Sequence, residues 1–342
     1  MRRFETLLIV VGFAFYFWLL KRLGLHTVAQ YVRAVGLGLL LTIGLEAFAR
    51  IANTLGWRVA IVQWPEGLGL ARLFAARVAG EAIDYTTPSA QLGGQFVMAL
   101  MVRRRLALAA GLASVVVAAL AEAVGQIGFV LGALLLSARL TATVHELFWP
   151  LVGGLSLTVG LAVGFYLVQV NRPFSHLWKL AAKLDLAAVA TDAIASSSEA
   201  ADRLLTDFYR QHKLRLLVSC LCYLVAWSLG PLEIYLLLGF LHQPRTVEVV
   251  LLTEALGILI ERATFIIPAK LVSQEGGKAL ILGLLGYPPS IGFAVGLLRR
   301  IKELFWVLLG LTIFGAYRWG ERQAPAELGK IASAAPLAES AE

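Results

Sequence analysis

An all-α integral membrane protein is the fold class the sequence predicts. It should have about eight hydrophobic segments, two of them re-entrant hairpins, arranged as two inverted structural repeats. Three observations predict it. The 342 residues are 59% apolar and 15% charged, with a mean hydropathy of +0.77, whereas soluble domains run at roughly 45–50% apolar and about 25% charged. Apolar runs of membrane-spanning length recur along the chain. Two proline-centred stretches then match each other at a constant offset. The first observation excludes a cytosolic enzyme, which needs a more polar surface to stay dispersed. Cys220 and Cys222 share one apolar run. They read as small packing residues, neither a disulfide scaffold nor a metal site. The net charge of +8 is spread between apolar spans, so it points to anionic lipid and not to nucleic acid.

A hydrocarbon core about 30 Å thick takes roughly 20 helical residues to cross. Six clear candidates lie near Phe4–Leu20, Ala34–Val62, Leu106–Leu136, Leu147–Val170, Leu214–Leu241 and Ser290–Ala316. Phe4–Leu20 follows Arg2 and Arg3 but runs into Lys21-Arg22 without a small-residue cleavage site. It therefore reads as an anchor, not as a signal peptide. Leu68–Met101 and Val247–Leu285 are apolar yet carry charges, glycines and a central proline. Each is either two crossing helices or a hairpin that enters and leaves on one side. Either version gives the same parity. Placing Arg103–Arg105 inside puts the basic 171–213 segment and both termini inside as well, although Lys21, Arg22 and Arg33 then face outward.

The organisation that follows is an N-terminal anchor over 1–33, a first repeat over 34–171 with its hairpin at 68–101, and a linker over 172–213. A second repeat over 214–316 has its hairpin at 247–285, and an alanine-rich polar tail, expected to be disordered, covers 317–342. In the linker Leu177, Leu180, Ala181 and Leu184 share one helical face and Lys179 and Lys183 another, which suits an interfacial helix that the serine run 196–198 then breaks.

The repeat is the most informative feature. With Pro88 aligned on Pro268, Glu81 falls on Glu261, Gln95 on Glu275 and Ala99-Leu100 on Ala279-Leu280, always 180 residues apart. Residue 34 falls on residue 214, where another apolar run begins, and under the topology above the two halves are inverted. Gly/Pro-interrupted segments at matching positions of inverted halves point to a transporter, with its site where they meet near the midplane. A duplication kept for folding alone is the other reading.

Charges at membrane depth supply the candidate residues. Glu81, Asp84, Glu261, Arg262 and Lys270 surround the hairpin breaks, where Gly93, Gly94, Gly276 and Gly277 permit tight turns. Glu46 and Arg50 stand four apart and can pair. Glu122, near Gln126, and Glu233 lack a basic neighbour, which makes them candidates for proton coupling. Arg299 can pair with Glu303, leaving Arg300 and Lys302 over, and an arginine fork suits a headgroup phosphate.

GEAIDYTTPSAQLGGQ with the basic cluster after it, PAKLVSQEGG, and LLRRIKELFW resemble the hallmarks of the flippase-like membrane family. That family includes the transmembrane region of lysylphosphatidylglycerol synthase and the hopanoid-associated membrane proteins. The resemblance spans roughly 34–316. It implies a multi-pass bacterial inner-membrane protein that moves lipids between leaflets. It places Glu81, Pro88, Gly93 and Gly94 on the first hallmark, Pro268, Glu275 and Gly276 on the second, and Arg300 on the basic position of the last helix. Asp84 stands where an amide is expected and Gln95 where an acid is, which alters the charge balance of the first hallmark. The likeness is to the transmembrane region and not to an aminoacyl-transfer domain, so this chain is not expected to make lysyl-lipid.

The leading reading is therefore a lipid translocator for a phospholipid or other anionic amphiphile, with no cofactor. Lipid-biosynthesis enzymes and a second copy are conceivable partners. A non-transporting scaffold of a lipid-synthesis complex is the alternative, and a membrane transferase is the weaker one. No GxxxxGK[ST] loop, HExxH or paired-aspartate motif occurs, and the five histidines are scattered singly.

Overall fold

The computed structural model describes residue 33 and residues 35–87, 92–143, 148–176, 179, 192–263 and 274–334. Among them all regular structure is helix. The helices are α1 Gly38–Ala60, α2 Leu70–Thr86, α3 Leu92–Val102, α4 Leu108–Leu136, α5 Ala138–Thr143 and α6 Phe148–Val170. They continue with α7 Asp192–Gln211, α8 Lys213–Phe240, α9 Val247–Ala263, α10 Glu275–Leu284 and α11 Pro289–Ala334. Four stretches are long and apolar enough to cross a membrane: Gly38–Ala60, Leu108–Leu136, Leu151–Val170 and Lys213–Phe240. They fall on four of the six expected spans. The fifth, Ser290–Ala316, lies inside α11, whose middle carries Arg299, Arg300, Lys302 and Glu303. The sixth, Phe4–Leu20, is outside the described residues.

Both ambiguous stretches are pairs of short helices packed on each other, α2 with α3 and α9 with α10. Helix α2, with its C-cap at Thr87, has 17 residues, shorter than the roughly 20 that a full crossing takes. Helix α9 covers 17 described residues up to the edge of an undescribed stretch. Pro88 and Pro268 lie outside the described residues.

Two expectations are corrected. Helix α11 runs through Ala334, so residues 317–334 are helical, not a disordered tail. The serine run 196–198 lies within α7. Ala201, Leu205 and Phe208 give α7 an apolar face buried against the bundle, and that packing outweighs the weak helix preference of three serines. Asp202 ties the linker down further, accepting the backbone N–H groups of Phe174 and Ser175 at 3.1 and 2.9 Å. Burial raises the pKa of the Tyr209 phenol on the same helix, where it donates to Gln169. The proposed face formed by Leu177, Leu180, Ala181 and Leu184 is outside the described residues.

Small residues set the closest helix contacts, as expected where lipid supplies no hydrophobic drive between helices. Helix α1 packs along α8, with Gly56 against the Tyr223 ring and the Gly56 carbonyl accepting from the Ser219 hydroxyl at 2.9 Å. Gly125 of α4 lies on the α8 backbone at Cys220 and Leu224. Gly292 and Gly296 let α11 sit on α10, while Gly160 and Gly164 of α6 have nothing within 4 Å among the described residues. Pro231 inside α8 cannot donate to the Trp227 carbonyl one turn back, a break tolerated where neighbouring protein or a cavity covers it.

A Cβ at Gly125 would stand 2.9 Å from the Cys220 carbonyl oxygen. Gly125→Val should therefore destabilise the detergent-solubilised protein by about 1–3 kcal/mol. Gly160→Ala, with open space around it, should change the melting temperature little. Thermal unfolding of both variants checks the contrast.

Candidate functional site

Between the two halves lies a cavity of about 250 Å3. Its charged wall comes from Glu46 and Arg50 on α1, Glu81 on α2, Glu122 on α4, Glu233 on α8, Glu254 on α9, and Arg299, Lys302 and Glu303 on α11. Gly230, next to Pro231, and Trp227 complete one side.

Among the described residues the ion pairs link ten charges into a chain of alternating sign. Glu122 meets Arg77 at 3.0 Å, and Arg77 meets Glu81, one turn on, at 2.8 Å. Glu81 pairs with Arg50, which pairs with Glu46 at 3.2 Å. Lys302 then crosses to the other half, 2.9 Å from Glu46 and 2.7 Å from Glu233. Arg299 joins Glu233 at 3.1 Å to Glu254 at 2.5 Å, and Lys278 closes the chain 3.4 Å from Glu254. Five carboxylates alternate with five cations, so the chain as a whole is neutral. Its first five members, from residues 46–122, carry −1, and its last five, from residues 233–302, carry +1.

Neighbouring groups brace the chain. Arg77 also donates to the Tyr223 hydroxyl at 2.9 Å, and the Arg50 guanidinium lies 4.7 Å from the centre of the Trp306 ring, within reach of a cation–π contact. Arg300, 1% exposed, forms a two-pronged pair with Glu275, donating from Nη2 at 2.7 Å and also from Nε. It reaches Tyr85 at 3.3 Å. Gln274 donates to Glu303 at 2.9 Å.

Of the residues singled out from the sequence, Glu81, Glu122, Glu233 and Arg299 come together on the cavity wall. Arg300 and Glu275 stand behind it and join α11 to α10. Asp84 accepts the Gly94 N–H at 2.7 Å, which holds α2 to α3. Arg262 donates from Nε and Nη2 to Gln126, at 2.8 and 2.6 Å. Glu261 and Gln95 are half-buried on their helices, and so is Gly93, next to the Asp84–Gly94 contact. Gly276 is exposed, and a Cβ there would have nothing within 4 Å among the described residues.

Three expectations about partners change. Glu122 and Glu233 do have cations, Arg77 for the one and Arg299 with Lys302 for the other. Arg299 pairs with Glu233 and Glu254 in place of Glu303 four residues on. In each case the helix turns these side chains toward other helices, so the partner is distant in sequence. Arg77, Glu254 and Lys278 went unnoticed. The four-residue spacing of Arg77 and Glu81 was a visible signal for the first, whereas no local spacing marks the other two.

Removing Arg77 leaves Glu122 without its cation and Glu81 with Arg50 alone, on carboxylates about a third exposed to the cavity. Arg77→Met should cost about 1–3 kcal/mol, the range for losing a charged hydrogen-bond partner. Adding Glu122→Gln should recover part of that loss. A double-mutant cycle on thermal unfolding checks the coupling.

No curated protein and no solved structure matches the chain. The family model described as lysylphosphatidylglycerol synthase TM region matches residues 6–310, a stretch that takes in every residue of the cavity wall and of the charged chain. With its apolar spans and its match over most of its length, the chain is a membrane protein that belongs to the lysylphosphatidylglycerol synthase transmembrane-region family.

Proposed function

We propose that the chain is a lipid translocator of the flippase or scramblase kind, acting in the bacterial inner membrane. The polar head of a phospholipid or other anionic amphiphile would pass through the cavity while its tails stay in the bilayer. The observation that carries this is a charged cavity, walled by both halves, in a bundle whose outer surface is apolar. A lipid head needs such a polar route through hydrocarbon, and transporters place it where two repeats meet.

Inverted repeats and re-entrant hairpins belong to this reading. In their support, a shift of 180 residues carries α1 onto 218–240, within α8, and α2 onto 250–266, three residues from α9. It carries α3 onto 272–282, over α10, and the start of α4 onto 288, one residue before α11. The packing is reciprocal too. The second helix of each half lies against the fourth helix of the other, α2 on α11 and α9 on α4.

By this reading the chain catalyses no bond-breaking, and uphill movement draws on an ion gradient or a partner. Glu81, Glu122, Glu233 and Glu261 are the carboxylates that would couple it to protons. A second reading, a membrane scaffold for lipid-synthesis enzymes, has one observation in its favour: each cation of the wall already holds protein carboxylates, as a purely structural network would.

Reconstitution into liposomes with fluorescent phospholipids of several headgroups separates the two. A translocator speeds the movement of label between leaflets, read by dithionite quenching, in a headgroup-dependent way. Glu81→Gln slows it by about tenfold, as losing a charged hydrogen-bond acceptor at the site would. Folded protein that moves no lipid, with or without a proton gradient, supports the scaffold.

A further inference from the structure

Among the described residues the cavity wall has no cation in surplus. Arg50 holds Glu46 and Glu81, Lys302 holds Glu46 and Glu233, and Arg299 holds Glu233 and Glu254. Beyond the neutral ten-residue chain, Glu303 adds a further carboxylate to the wall. A ligand whose only charge is negative can reach these cations only by detaching carboxylates, which are then left without a counter-charge, the nearly buried Glu233 and Glu254 at the highest cost. A ligand carrying both signs meets no such obstacle. Its phosphate oxygens take the freed cation and its ammonium takes the freed carboxylate, so that an ion pair is replaced by ion pairs and the charge of the site is unchanged.

The place where a ligand of both signs matches the chain is the link between Glu46 and Lys302. It joins a segment of charge −1 to one of charge +1, from helices α1 and α11, and both residues line the cavity. An inserted zwitterion would orient with its ammonium on Glu46 and its phosphate on Lys302. The volume of about 250 Å3 is near the lower bound of small-molecule sites, about 300 Å3, which suits a headgroup and not a whole lipid.

We infer that the cavity takes a zwitterionic headgroup, a phosphodiester with an ammonium a few bonds away, in preference to a purely anionic one, by insertion across the Glu46–Lys302 pair. The lipid as its source rests on the translocator reading. The charge selection does not.

Isothermal titration of the purified full chain with dihexanoyl-phosphatidylethanolamine and dihexanoyl-phosphatidylglycerol tests the selection at matched tails. The ethanolamine lipid should bind about tenfold tighter or more, since the anionic one leaves a buried charge uncompensated. Glu46→Gln gives the chain one surplus cation and should bring the two affinities together or reverse them. Equal or tighter binding of the glycerol lipid by the wild type overturns the proposal, and so does the absence of binding by both. That comparison decides even where the variant fails to fold. Water-soluble glycerophosphoethanolamine distinguishes the sources: binding as tight as the lipid's supports zwitterion recognition with a soluble ligand, and much weaker binding supports it with a lipid. Selective binding without lipid movement in liposomes rejects the translocator reading and leaves the selection standing.

Discussion

A charge at membrane depth is held in place only by a charge of the other sign. At the centre of a bilayer each unpaired ionic side chain costs about 2.5–3.5 kcal/mol on insertion scales, and the ten-residue chain meets that constraint by alternation. Only two of its links, Glu46 with Arg50 and Arg77 with Glu81, lie within one helix. Every other link joins two helices, so the charges that line the cavity also fix how the helices stand around it. The assembly of the halves is part of the same arrangement. Neither half is neutral alone, and Lys302 supplies the joining contact to Glu46.

Room for these charges comes from residues that lack side chains. A Cβ on Gly230 would stand 2.8 Å from the Glu254 carboxyl carbon, and one on Gly257 would stand 3.2 Å from the Lys278 Cε. Both glycines sit in helices, where glycine costs up to about 1 kcal/mol relative to alanine. That cost is offset by letting a carboxylate and an ammonium approach the backbone closely enough to meet each other. Pro231, beside Gly230 in α8, adds a break in the backbone ladder at the same wall.

The spans were legible in the sequence because length and apolarity act locally: α1, α4, α6 and α8 fall within a few residues of their expected bounds. The paired helices of each ambiguous stretch were legible for the same reason, through a proline between apolar runs. Partner choice was not. Glu122 and Arg77 are 45 residues apart, Glu254 and Arg299 likewise, and Lys302 and Glu46 are 256 apart. Nothing in a helical period says which of several helices a side chain will face. The alternation of sign became visible only after the helices were placed. The serine run in α7 failed for the converse reason, since a buried apolar face on a neighbouring turn overrode local preference.

The ion pairs of this molecule also differ in how readily they can be exchanged. Arg300 and Glu275 meet through two parallel contacts, away from the cavity, with the guanidinium almost wholly enclosed. Such a pair is geometrically closed, and an incoming ligand would have to break two contacts at once without a path to either. Lys302, itself 3% exposed, touches each of its two carboxylates through one nitrogen at the wall of the cavity. An ammonium is a point charge with freely rotating donors, whereas a guanidinium fork fixes the direction of its partner. A lysine at the junction can therefore trade one oxygen for another with little reorganisation, while the arginines on either side hold the helices in register. Rigid pairs behind the wall and an exchangeable one within it are what a site needs if charged groups are to pass through without the bundle coming apart.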